Sequence, residues 1–372
     1  MHLDFSQRIF QSDTILNSYL SIFLLGGYSL GDLMIPLVEI VGPIPLLAPY
    51  YDESKGKKLY PLNPAAIPSE EGVELIVRWI SCRRNSYDPT ERIGVYHIDW
   101  DFQKVEHKGD LMFPEMNDKN IINPVEDVRA GLPDKNGETY VCYNYLRRGE
   151  NGETLPGPVG ATLKPPYKEL EDVVVYGNQI GKNVLPLSRN GNEREVVFRL
   201  DKHPPVFRYI KKSSGKIETW DEEIKHRPYW ASQNIGLTGL PIELSDESKL
   251  FILHGFQVHD RIYEYSIGTA VWKSGEWRIS EEPFLTPKMI REKLKEVTDW
   301  TYEELRPKGK KVIYSDAIIP RSKEKLDNVD KMFNVDSIDK VDIPLNLGDT
   351  AVVMVELLME DLLDFSEPLT FR

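Results

Sequence analysis

Short apolar runs punctuated by Gly, Pro, Asn and Asp dominate the middle of the chain. Examples are "VELIVRWISC", "RIGVYHIDW", "ETYVCYNYL", "REVVFRL", "PVFRYI", "KLFILHGFQV", "EYSIGTAVW" and "AVVMVELL". Runs of this length, rich in Val, Ile, Tyr and Phe and bounded by turn formers, predict strands rather than helices. Helical periodicity is confined to "TPKMIREKLKEVTDWTYEELR", where Thr286 suits an N-cap and Pro287 the first helical position. The charged residues 320–340 read as loop.

A weak repeat organises the strands. An apolar stretch with a proline nearby recurs around Asn63, Asp127, Pro186, Pro241 and Ala317, at intervals of 64, 59, 55 and 76 residues. After most of these openings come a strand ending in a polar residue and a second strand carrying an aromatic. Five copies of one β unit predict an all-β fold, a five-bladed β-propeller. Residues 1–50 form an N-terminal extension in this reading. Residues 51–372 form the propeller, with a helical insertion near 286–340. The first strand of each blade then lines a central channel, so residues far apart in sequence converge there.

The extension contains "YLSIFLLGGYSLGDLMIPLVEIVGPIPLLAPYY". A spanning helix needs about 20 mostly apolar residues. Here Gly26, Gly27, Asp32, Pro36 and Glu39 interrupt the run, and Arg8 is the only cation ahead of it. Neither a membrane helix nor a signal peptide is indicated. The expectation is a soluble cytoplasmic chain whose extension covers the body or contacts a second copy in a homo-oligomer.

Charge narrows the partners. Lys and Arg number 46 against 59 Asp and Glu, a net charge of −13 that repels phosphate backbones, so nucleic acid is not expected. Cys82 and Cys142 are the two cysteines, and the seven histidines show no HExxH or paired metal spacing. Neither a disulfide framework nor a metal site is expected.

In this order and spacing the motifs resemble glycoside hydrolase family 130, the β-mannoside phosphorylases and related mannosidases, over residues 62–353. "NPAAI…ELIVRW" is similar to that family's Asn-Pro-Gly/Ala-Ala-Ile stretch and the strand after it. "RIGVYHIDWDF" is similar to its Arg-Ile-Gly-Leu-Ala strand. "VEDVR" resembles Val-Glu-Asp-Pro-Arg, the most specific of its motifs. "NIGLTGLPIEL…FILHGF" resembles Lys-Ile-Gly-x-Gly-Pro-Pro-Pro-Ile followed by Tyr-His-Gly. "LGDTAVVMVEL" resembles its closing Gly-Ala-Ala-Asp-Thr segment. The resemblance implies a five-bladed propeller that cleaves β-mannosidic or related bonds with inversion, without a metal or organic cofactor, and with inorganic phosphate as co-substrate in the phosphorylases.

Inversion needs a carboxylic acid to protonate the leaving oxygen and a nucleophile on the opposite face of the sugar. The resemblance makes Asp127 that acid. Alternation along a strand predicts that Glu126 and Asp127 point to opposite faces, one into the channel and one bracing the blade toward Arg129. By resemblance, Asn63, Arg78 and Asp349 contact sugar hydroxyls, and Arg129 joins this substrate set. His254, Arg199 and Lys182 are the phosphate candidates, with Lys182 and Asn183 sharing one alignment position. Each has a plainer alternative: Asn63 and Asp349 as turn residues, Arg78 as a strand-end charge, His254 as a core residue. Trp79, Trp100 and Trp230 could stack on sugars or pack the core. The family's lysine and one proline are replaced by Asn234 and Val128. If water replaces phosphate a carboxylate base is needed, for which Glu243 and Asp349 are the candidates. A propeller that binds carbohydrate without catalysis is the alternative from another class.

Overall fold

The computed structural model describes residues 38, 40–81, 90–114, 121–176, 180–190, 193–200, 206–213, 216–259, 262–297, 312–322, 333–348 and 351–369. Asp349, Cys82 and most of the proposed N-terminal extension lie outside the described residues.

Among these residues the fold is five antiparallel sheets arranged as the blades of a β-propeller. β1 (Ile40–Leu47) precedes blade one, which contains β2 (Tyr50–Asp52), β3 (Lys57–Pro68), β4 (Gly72–Ser81), β5 (Thr90–Asp99) and β6 (Val105–Asp110). Blade two is β7 (Ile121–Pro133), β8 (Thr139–Arg148), β9 (Thr154–Leu163) and β10 (Leu170–Val175). Blade three is β11 (Lys182–Asn190), β12 (Glu193–Leu200), β13 (Val206–Ser213) and β14 (Lys216–Glu223). Blade four is β15 (Asn234–Leu237), β16 (Ile242–Glu243), β17 (Lys249–His259), β18 (Ile262–Lys273) and β19 (Glu276–Ile279). Blade five is β20 (Ile313–Tyr314), β21 (Ile319–Ser322), β22 (Ile338–Leu347) and β23 (Ala351–Leu358). It is completed by β1, which pairs antiparallel with β23 and joins the two ends of the described chain in one sheet. Part of the stretch read as an extension is thus a blade strand.

Hydrophobicity falls from hub to rim in blades one, two and three. β4 reads GVELIVRWIS with nine of ten positions buried, because each of its faces meets an adjacent blade and neither meets water. β6, β10 and β14, at the outer edge, read VEHKGD, LEDVVV and KIETWDEE and are mostly exposed. Charges on an outermost strand discourage it from pairing with another chain. The core sits between blades. Ala65, Ile67, Val95, Val125 and Val141 join blades one and two. Tyr140, Cys142, Val184, Val196 and Phe198 join two and three. Leu59, Ala66, Leu75, Ile319 and Met354 join five and one. The largest cluster runs from Leu185 through Ile235 and Leu253 to Ile343 and Val355. Each large side chain fully buried here contributes about 1.5–3 kcal/mol.

The expected helix is present as α1 (Pro287–Val297), where Thr286 Oγ1 accepts from Met289 N at 3.4 Å. Its continuation, residues 298–311, lies outside the described residues. A second helix, α2 (Met359–Ser366), follows β23. No helix among the described residues is long and apolar enough to cross a membrane.

Candidate active site

Strands β3, β7 and β11, of blades one, two and three, carry the same irregularity. Register shifts fall between Leu62 and Ala65, between Glu126 and Arg129, and between Lys182 and Leu185. Inside the three bulges Asn63, Asp127 and Asn183 have φ of 52°, 51° and 57°. Asn and Asp tolerate this left-handed conformation better than other side chains with a Cβ, and a bulge re-aims the side chain it carries. The three residues are therefore one structural position repeated around the axis. Asn63 and Asn183 are buried, while Asp127 is half-buried.

Asn63 and Asn183 take part in a hub that draws on every blade. Arg129, from β7, has no solvent exposure and pairs through Nη2 with Asp316 Oδ1. The same nitrogen donates to Tyr314 OH at 2.9 Å. Its Nη1 donates to the carbonyls of Leu237 and Thr238 on blade four. Tyr314 OH donates to Asp316 Oδ1 at 2.7 Å and accepts from Asn183 Nδ2 at 2.9 Å. Asn63 Nδ2 donates to Asp316 Oδ2 at 3.1 Å. His254 meets Tyr314 edge-on, with ring centroids 4.4 Å apart. On blade four Gly236 allows this convergence. A Cβ there would lie 2.5 Å from His254 Nε2 and 2.8 Å from Asn183 Oδ1.

Burial sets the electrostatics. It pushes the Asp316 carboxyl up to about 7, Arg129 opposing and Asp127 adding to the rise. Burial would lower the Arg129 guanidinium, but Asp316, Tyr314 and Asp127 outweigh it and hold the charge on more firmly. His254 is driven well below the usual imidazole range, by burial first and then by Arg129 and Arg199, so it is neutral at pH 7. Glu126 is raised by burial and by Asp127, against Arg78 and Lys182. These influences put Lys182 within electrostatic reach of Glu126, and Arg199 within reach of His254. Lys182 and Arg199 are also cross-strand partners on blade three.

The two acids of "VEDVR" do part, but through a bulge rather than plain alternation. Glu126 accepts from Arg78 Nη2 at 3.1 Å. Arg78 Nε donates to Thr90 Oγ1 at 2.8 Å, and Thr90 Oγ1 donates to Val125 O at 2.6 Å. Glu126 thus braces Arg78, not Arg129. Arg129 and Arg78 are both buried and held by protein groups, so the structure gives them organising contacts beneath and beside the bulges. Glu243 is exposed on β16, opposite Lys249, five residues along β17 from His254. That is about 17 Å of strand from His254. Trp79 and Trp230 are 2% and 1% exposed core residues. The Trp230 ring lies against Gly268, where a Cβ would be 2.4 Å from its Cζ2. Trp100 is half-buried and packs against the blade-one core.

Tyr314, Asp316 and Asn183 belong to the cluster, yet the repeat reading singled out neither Tyr314 nor Asp316 and left Asn183 as an alignment alternative. The repeat marks this region only through the apolar opening at Ala317. The one available signal was an acid directly ahead of that apolar run. Among the described residues no group of three or more His, Cys, Asp or Glu side chains is placed to hold a metal ion.

No protein-family model matches the sequence, and no curated protein sequence does. Solved structures do. A β-1,2-mannobiose phosphorylase from Listeria innocua, in complex with β-1,2-mannobiose, matches with a TM-score of 0.60 at 13% identity, covering 89% of this chain and 99% of that one. A mannose phosphorylase from Leishmania mexicana, in complex with phosphate ion, matches with a TM-score of 0.45 at 11% identity, covering 85% and 83%. An endo-arabinase from Bacteroides thetaiotaomicron matches with a TM-score of 0.43 at 11% identity, covering 85% and 94%. At such identities the likeness is one of fold, carried by the first of the three.

Proposed function

We propose that this propeller is a carbohydrate-active enzyme that cleaves β-mannosidic or related glycosidic bonds with inversion, using Asp127 as the general acid. The observation that carries the reading is the repeated bulge. Asn63, Asp127 and Asn183 occupy one equivalent position in three successive blades, and Asp127 is the only acid among them and the most exposed. A carboxylic acid there protonates the leaving glycosidic oxygen while a nucleophile attacks the anomeric carbon from the opposite face. Asn63 and Asn183 offer amide groups suited to sugar hydroxyls. The buried Arg129–Asp316 pair fixes the strands that bear them.

Lys182 and Arg199, cross-strand neighbours on the blade that follows Asp127, are cations suited to an oxyanion such as phosphate, and Arg199 is within electrostatic reach of neutral His254. The Listeria innocua neighbour is a β-1,2-mannobiose phosphorylase, and its fold is the best argument for a mannoside. These cations and that fold make phosphorolysis the preferred reading, with hydrolysis, for which Glu243 and Asp349 are the candidate bases, as the second.

The test is to incubate the protein with β-linked manno-oligosaccharides, and separately with mannose 1-phosphate and acceptor sugars, with and without phosphate. Phosphate-dependent formation of mannose 1-phosphate is expected. Phosphate-independent release of mannose would make it a hydrolase. Binding without turnover under every condition would overturn the enzymatic reading and leave a carbohydrate-binding propeller.

A further inference from the structure

Blade four carries an aromatic run that the site has not used. Cross-strand partners share a face, and alternate residues along a strand return to it. Asn234 pairs with Phe256, Gly236 with His254, Phe256 with Tyr265, and Val258 with Tyr263. His254, Phe256, Val258, Tyr265 and Tyr263 therefore lie on one face, the face whose His254 ring meets Tyr314. Phe256 and Tyr265 are stacked with centroids 4.9 Å apart, and Phe256 meets Tyr263 at 5.5 Å.

The direction of this run follows from the hub. Gly236 sits at the level of Asn183, and the carbonyls of Leu237 and Thr238 bind Arg129, two residues after Asp127. β15 and β7 therefore pass the hub in the same sense, and Asn234 lies on the Asp127 side of it. Its partner Phe256, and Tyr263 beyond, extend from the site toward the end of the blade. The distance from His254 to Val258 is about 13 Å of strand. Burial decreases along the way: His254 is 3% exposed, Phe256 and Tyr265 are half-buried, and Tyr263 is 41% exposed. At the buried end His254 Nδ1 has no hydrogen-bond partner among the described residues.

We propose that Phe256, Tyr265 and Tyr263 form an extended subsite that receives a further pyranose ring of an oligosaccharide, beyond the two sugars that flank the bond cleaved. This rests on the carbohydrate reading above. The apolar face of a pyranose stacks on a flat aromatic ring, and a half-exposed ring with a phenol at its edge also meets the sugar hydroxyls. The face is continuous with His254, which gives a chain threaded from Asp127 a path along blade four.

The test compares wild type, Tyr263→Ala and Tyr263→Trp on β-linked manno-oligosaccharides of two, three and four units, by turnover and by calorimetric binding. Tyr263 is exposed, so the variants fold; a thermal melt checks this. In Tyr263→Ala the ratio of kcat/KM, or of affinity, for the tetrasaccharide over the disaccharide falls about tenfold, and Tyr263→Trp restores it. The half-buried stack is tested the same way with Phe256→Leu. A ratio equal to wild type in both Tyr263→Ala and Phe256→Leu overturns the subsite and leaves the enzymatic reading standing. Wild-type protein that neither cleaves nor binds any of the three lengths overturns both.

Discussion

Arg129 and Asp316 form an ion pair in which neither side chain reaches solvent, joining the first strand of blade two to blade five. Around it, Asn63, Asn183, Tyr314 and two carbonyls of blade four complete a hydrogen-bonded hub. Two charges withdrawn from water are tolerable only where their remaining donors and acceptors are also met, and breaking such a pair leaves the surviving charge unpaired. Arg129→Ala should cost about 3–5 kcal/mol of stability. In a denaturant-unfolding cycle Arg129→Ala combined with Asp316→Asn should cost less than the two singles added together. Singles that each sit within about 0.5 kcal/mol of wild type would show that the hub does not hold the blades.

The bulge positions make a prediction about backbone rather than contacts. Asn183 has a φ of 57° and donates to Tyr314 OH. Asn183→Gly removes the hydrogen bond but suits the left-handed backbone, whereas Asn183→Ala removes the bond and adds strain. Ala should be the less stable of the two by about 1 kcal/mol in thermal or chemical unfolding. The reverse order would mean that the bulge relaxes when its side chain is lost.

Gly236 tests the crowding at the hub. A methyl group there meets His254 Nε2 and Asn183 Oδ1 at distances no ordinary contact allows. Gly236→Ala should cost about 1–3 kcal/mol in stability. Adding His254→Ala should relieve part of that cost, so that the double variant is more stable than the sum of the singles predicts. Additive losses would place His254 away from Gly236.

A pH effect separable from the site comes from Asp342 on β22. Burial raises its carboxyl to about 7, aided by Glu356 across the strand pair and opposed by Arg321 and Lys340. An unfolded aspartate titrates near about 3.9. Between these values the native state binds the proton more tightly, so this group's contribution to stability falls as pH rises from 4 to 7. Asp342→Asn removes that dependence. Its stability relative to wild type should therefore increase from pH 4 to pH 8, as read by melting temperature. A difference that does not change with pH would rule out a raised Asp342.

How much of this was readable beforehand divides along physical lines. The blade count came through because five copies of one unit leave five spaced openings, and Asn63, Asp127 and Ala317 fall at or beside the hub. Asp127 stands out by resemblance, because "VEDVR" is similar to Val-Glu-Asp-Pro-Arg, and not by composition, since an acid pair next to turn residues is common. Arg129 did not reveal its role, since nothing near it in sequence is its partner. Asp316 lies 187 positions away in sequence and meets it only once the ring closes. The bulges were invisible as well, because a register shift depends on the neighbouring strand. The tryptophans are legible for a different reason: a bulky ring on an apolar strand packs the core more often than it meets a sugar, and Trp79 and Trp230 do pack there. The aromatic rings that continue the face of His254 are half-buried Phe256 and Tyr265 and exposed Tyr263, all of one hairpin.

The measurement that bears most directly on the account is the turnover of manno-oligosaccharide, with phosphate present, by Asp127→Asn against wild type, alongside unfolding curves for both. Asn matches Asp in size and tolerates a φ of 51°, so the fold should be kept. The account predicts a fall in kcat of at least about a hundredfold with an unfolding midpoint close to wild type. A variant that turns over the same substrate at the wild-type rate would contradict Asp127 as the acid and, with it, the repeated bulge as the active site.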